Sequence, residues 1–179
     1  NGLAVGKHGL FGKQNLYEHS TNIPLIIAGP GIPVDIRSEA FVYLTDIYPT
    51  ICDMLGIPIP ESVDGSSFYH VLKDPGTDHH EFITTTYKAN QRAIRDNRYK
   101  LIRYQVNDQE HMQLFDLIED PFEITNLVEE SSYAAELDRL NKMMARSLEV
   151  LPEPDIEATF SDCELGAIPA LGEPYGVDV

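Results

Sequence analysis

Ile23-Pro24-Leu25-Ile26-Ile27-Ala28, closed by Gly29-Pro30-Gly31, is the stretch from which the fold is read. A continuous apolar run of this length between turn residues predicts a strand buried on both faces, and therefore a sheet covered by helices. Downstream, Ile47, Tyr48, Ile51, Met54 and Leu55 recur at helical spacing, with Pro49 near the first turn and Gly56 as a stop. This spacing predicts a core-packing helix over 45–55. Ser66-Ser67 caps a short helix running to Leu72, and Asp74-Pro75-Gly76 marks a boundary between two units. Upstream, Gly2, Gly6, Gly9 and Gly12 stand among Leu3, Val5, Leu10 and Phe11, too many glycines for a helix interior, so residues 1–22 are read as a shaped loop.

Past the boundary the period shortens. Residues 81–87, 91–96, 98–105 and 112–117 read as short strands separated by turn residues such as Asp96-Asn97 and Asn107-Asp108, which predicts a small antiparallel sheet. Tyr133, Leu137, Leu140, Met144 and Leu148 then mark one apolar face over 131–150, a single helix to cover that sheet. From Pro152 onward the chain is rich in Pro, Gly and acids and has no periodicity, so an irregular surface tail is expected over 152–179. The domain reading is therefore 1–75, 76–151 and the tail.

Composition narrows the function classes. The chain has 179 residues, 42% of them hydrophobic, enough for one core or a core with a satellite. Its 29 acidic and 13 basic residues give a net charge of -16, a field that repels nucleic acid and anionic membranes. No stretch approaches the roughly eighteen apolar residues of a membrane span. Cys52 and Cys163 form neither a disulfide framework nor a C-x-x-C pair and say nothing of compartment.

The polar groups that carry chemistry concentrate in Asn1-Gly2-Leu3-Ala4-Val5-Gly6-Lys7-His8-Gly9-Leu10-Phe11-Gly12-Lys13-Gln14. A phosphate loop of the G-x-x-x-x-G-K-[ST] type fails here, because Lys7 stands where the first glycine is needed and Gln14 follows Lys13. The dinucleotide pattern G-x-G-x-x-G is also absent. His79-His80 look like a metal tract, but neighbours on a strand face opposite ways and no spaced third ligand follows, so they are read as structural. Arg92, Arg95, Arg98, Lys100 and Arg103 are read as partners of nearby Asp and Glu.

The stretch Gly12-Lys13-Gln14-Asn15-Leu16-Tyr17-Glu18, with Asn1 before it, resembles the sulfatase family. The resemblance continues through 23–31 and 45–56, and returns at 91–104 and in Leu114-Phe115-Asp116-Leu117 with Asp120-Pro121, Glu123 and Asn126-Leu127, so that about residues 1–150 are covered. It implies an α/β fold of the alkaline-phosphatase type. Residues 1–75 would be the C-terminal part of its main sheet domain, followed by a small α+β subdomain. It implies a Ca2+ ion with Asn1 as its last oxygen ligand, Lys13 as the active-site cation on the sulfate oxygens, and His8 as a proton donor or pocket residue. His19 would contact substrate or, with Gln14, Tyr17 and Glu18, hold the loop, and Lys7 would face solvent.

The family's nucleophile, a formylglycine made from Cys or Ser in a C/S-x-P-S-R-type motif, has no match at Cys52 or Cys163. The resemblance therefore implies a chain that acts with the N-terminal remainder of the same protein on a sulfated small molecule or glycan, and that is inactive alone. It also suggests a periplasmic or extracellular setting, and a homo-oligomer is possible if the apolar run is left uncovered. A phosphonate or phosphate ester hydrolase of the same superfold, and a non-catalytic binding module, stand as alternatives.

Overall fold

The computed structural model describes residues 1–106 and 109–150. The expected 107–108 turn and the tail over 152–179 lie outside the described residues.

The organising element is a four-stranded antiparallel meander, β3 (Ile83–Tyr87), β4 (Gln91–Arg95), β5 (Tyr99–Val106) and β6 (Gln109–Asp116), hydrogen-bonded in chain order. Its register pairs Ile94 with Leu101 and Leu101 with Leu114 on one face, and Ala93 with Ile102 on the other. Side chains alternate across a strand, so a sheet that is apolar at adjacent positions must bury both faces. Two different elements do this. The long helix Ala134–Val150 lays Leu140, Met143 and Met144 against Ile94, Leu101 and Leu114. Against the opposite face, Leu16 and Tyr17 pack on Ala93, Ile102 and Phe115. The glycine-rich N-terminal segment, far away in sequence, is thus the second cover of the C-terminal sheet.

An ionic junction fixes that cover in place. Lys100 sits on the same sheet face as Ile102, only 1% exposed, and its Nζ donates to Glu18 Oε1 at 3.1 Å and to Glu123 Oε1 at 2.9 Å. Glu123 Oε2 accepts the Glu18 backbone N–H at 2.8 Å, and Arg95 also pairs with Glu18. Two further cations of the run pair with carboxylates as expected: Arg98 binds Asp116 and Arg103 binds Glu110. The Arg98 guanidinium beside Asp116 holds that carboxyl below the usual range, and Asp116 also caps the Ile118 N–H.

The described α-helices before the sheet are α1 (Glu18–Thr21), α2 (Ile47–Leu55) and α3 (Tyr69–Lys73). Two expectations change. Residues 23–28 form no strand; they have no regular secondary structure, and Ile26 is 90% exposed. A strand exists only where a neighbour takes its backbone N–H and C=O groups, and no described strand lies beside this one. The second change concerns α2, which buries Pro49, Thr50 and Cys52 but leaves Tyr48, Ile51 and Leu55 exposed. Its predicted core face looks outward.

Replacing Lys100 by Met leaves Glu123 buried without its cation. We expect urea unfolding to show a loss of about 3–5 kcal/mol, the usual result of breaking a buried pair from one side. A loss below about 1 kcal/mol, as for a surface pair, would contradict the assignment.

Candidate functional site

The N-terminal segment is a tight hairpin. β1 (Ala4–Val5) pairs antiparallel with β2 (Phe11–Gly12), and a 3-10 turn over Lys7–Gly9 closes it. Gly12 has φ 94°, in the left-handed region, and a Cβ there would stand 2.8 Å from Gln14 Oε1. Gly2 is required for another reason: a Cβ would come within 1.9 Å of the His19 carbonyl oxygen. The glycines therefore let this backbone close on itself and on α1.

Lys13 stands directly after β2, exposed, and the residues that follow it are anchored. Asn15, Leu16 and Tyr17 are buried, and the Tyr17 hydroxyl donates to Gln113 Oε1 on β6 at 2.9 Å. An exposed ammonium on a short anchored segment is a cation presented outward. Gln14 accepts the Lys13 backbone N–H, a local bond in keeping with its expected loop-holding role. Lys7 does not simply face solvent, because its Nζ lies over the Phe122 ring.

His8 adopts φ 55° and its ring stacks on Tyr17 at 4.0 Å and 11°. His19 lies beside both, at 5.9 Å from His8 and 5.8 Å from Tyr17. His8 Nε2 and both ring nitrogens of His19 are buried and have no hydrogen-bond partner among the described residues. Burial, followed by the charge of Lys7, lowers the pKa of each imidazole. The structure thus brings His8 and His19 together, with Lys13 at the end of the same hairpin. Glu123, which was only part of a resemblance in the sequence, supplies the carboxylate near both histidines.

Asn1 is exposed at the start of the segment. It offers one amide oxygen, whereas calcium takes six to eight oxygen ligands. Among the described residues, the two clusters with metal-ligating geometry are His8, His19, Glu123 and Asp46, His79, His80. Each contains two imidazoles, a poor set for a hard cation. The described residues therefore do not make a calcium site by themselves.

A cleft of about 1070 Å³ has no lining residue in common with the Lys13 turn. It is lined by Ile23, Leu25, Ile26, Ile36 and Val42, and by Glu18 and Lys100. It is an apolar trough beneath the 23–28 run.

A family profile described as "N-sulphoglucosamine sulphohydrolase, C-terminal" matches residues 6–150. Arylsulfatase K of Bos taurus is 35% identical over 139 residues, which is 71% of this chain and 26% of that protein. The chain thus spans about a quarter of the length of the curated relatives it matches. A solved structure described as being in complex with its substrate D-glucosamine-2-N,6-O-disulfate superposes with a TM-score of 0.72 and 26% identity, covering 83% of this chain and 32% of that one. A phosphonate monoester hydrolase of Agrobacterium radiobacter gives a TM-score of 0.66 and 25% identity, covering 80% of this chain and 32% of its own.

The lowered imidazole values make a pH prediction. A buried histidine whose folded pKa lies below 6.5 loses stability as the pH falls from about 6.5 through the folded value, because the unfolded chain binds the proton more readily. In an NMR titration of imidazole shifts, His8 and His19 are expected to titrate below the ordinary imidazole value of 6.5. Midpoints at or above 6.5 would contradict the stack with its buried ring nitrogens.

Proposed function

Because this chain belongs to the sulfatase family, we propose that it is the C-terminal portion of an enzyme that hydrolyses sulfate esters, with Lys13 as the cation that meets the sulfate. The observation carrying this reading is the exposed Lys13 held on an anchored hairpin inside the matched region. In a protein of net charge -16, an anionic substrate needs a local cation rather than a global field. A rigidly placed ammonium stabilises charge that develops on the sulfate oxygens and on the leaving alkoxide without reorganising during the reaction.

His8 and His19 would line the same pocket. Their imidazoles would hydrogen-bond sugar hydroxyls, and His8 would donate a proton to the leaving oxygen. The nucleophile, read as a formylglycine, and the carboxylate ligands of a calcium ion would come from residues of a longer protein preceding this segment, with Asn1 adding one oxygen. The exposed faces of 23–28 and of α2 support that reading, since they offer apolar surface for the remainder of the main sheet. On this reading the 179-residue chain alone is inactive. A sulfated glucosamine is the substrate class to test first, because the solved relative described above holds one.

A phosphonate ester hydrolase shares the architecture. Asn1, where such enzymes more often carry His, favours the sulfatase reading.

The test is an assay of the longer protein containing this chain, with aryl sulfate, glucosamine N,6-disulfate and an aryl phosphonate ester offered in parallel. Sulfate release is expected, with Lys13→Ala lowering kcat about 10²–10³-fold, the range for loss of one group that stabilises developing charge. Unchanged turnover in Lys13→Ala would remove its role. Hydrolysis of the phosphonate ester in preference to both sulfates would replace the reading.

A further inference from the structure

His79 and His80 do not face opposite ways. Residue 79 is not in a regular strand and residue 80 makes only an isolated bridge to Phe41, so the alternation expected of a ladder does not apply. Both Nε2 atoms approach one oxygen, Asp46 Oδ2, His80 at 2.8 Å and His79 at 3.6 Å. Zinc bonds of about 2.0–2.1 Å in a tetrahedron place neighbouring ligand atoms about 3.3 Å apart. The two observed separations straddle that edge, and all three ligand atoms lie within 4.8 Å of one another.

The carboxylate is built for a fixed position. Asp46 is 1% exposed, its Oδ2 accepts the Tyr43 N–H at 2.7 Å and its Oδ1 accepts the Ser66 N–H at 2.9 Å. Burial would push its pKa up, yet these bonds and His80 hold it below the usual range, so it is a carboxylate at neutral pH. Gly65 makes the Ser66 bond possible, since a Cβ there would sit 2.2 Å from the Thr45 carbonyl oxygen. Ser66 Oγ lies 3.2 Å from His79 Nε2, which places a fourth donor atom, a hydroxyl oxygen, next to the set. A cavity of about 370 Å³ lined by Tyr43, His79, His80, Glu81 and Arg146 provides an entry path.

We propose that Asp46, His79 and His80 form a structural zinc site that pins the start of α2 to the segment leading into β3. Two imidazoles and one carboxylate suit zinc and its near neighbours rather than calcium or magnesium. The site is independent of the sulfate chemistry proposed above. It joins segments on either side of Asp74-Pro75-Gly76.

Metal-stripped protein titrated with Co2+ tests it. One ion per chain with the intense visible absorption of tetrahedral cobalt is expected, displaced by Zn2+. His80→Gln and His79→Gln should each weaken binding at least about 100-fold, the upper end of what loss of an outer partner costs a site. His19→Gln should leave it unchanged, separating this cluster from His8, His19 and Glu123. On the unmutated protein, Zn2+ should shield His79 and His80, but not exposed His111, from diethyl pyrocarbonate as read by mass spectrometry. Absence of saturable one-to-one binding, binding that survives the His79→Gln/His80→Gln double variant, or loss in His19→Gln would each overturn the proposal.

Discussion

The structure depends on one buried cation. Lys100 is carried by the middle of the sheet, and an ammonium at that depth requires carboxylates from somewhere. They come from two places: Glu18, at the end of the lysine-bearing hairpin segment, and Glu123, in the turn after β6. Because Glu123 also takes the Glu18 backbone N–H, the junction fixes both the charge and the path of the chain entering α1. Leu16 and Tyr17 then fall onto the sheet face, Tyr17 reaches Gln113, and His8 stacks on Tyr17. Lys13 is presented as the consequence of this chain of contacts. The C-terminal sheet is thus the platform that positions the candidate site.

The apolar surfaces follow a second logic. The sheet satisfies itself between the Ala134–Val150 helix and the N-terminal segment, whereas 23–28 and the outer face of α2 do not. Their sequences have the patterns of buried elements. Such patterns describe what a segment does when its neighbours are present, and the share of the relatives' length that this chain spans leaves room for those neighbours.

This distinction sets what could be read from the residues. The four strands and the covering helix were legible because their hydrophobic periods are satisfied within the chain. The α/β class and the family were legible from Gly12-Lys13-Gln14-Asn15-Leu16-Tyr17-Glu18 and its companion segments. The strand over 23–28 was misread because strand pairing is a property of two segments. The opposite facing expected of His79 and His80 failed because neither lies in a regular strand, and Asp46, which both approach, is 34 residues from His80, so only tertiary closure brings it near. Glu123 was recognisable as part of a motif, but its work, neutralising Lys100, needed the sheet register to be seen. Asp120 and Asn126 are similar. Asp120 accepts the backbone N–H groups of Ile124 and Thr125 after β6, and Asn126 accepts that of Leu114 within β6, so both serve the platform rather than the chemistry.

The claim that the buried junction holds the lysine-bearing segment on the sheet is tested most directly by amide hydrogen exchange across residues 11–20 in the Glu123→Gln protein. The account predicts that protection of the Glu18, Ser20 and Thr21 amides collapses while the β4–β5 amides stay protected, because the sheet keeps its helix but loses its grip on the hairpin. Equal protection of residues 11–20 in the unmutated and Glu123→Gln proteins would contradict it and would mean that the packing of Leu16 and Tyr17 alone positions the site.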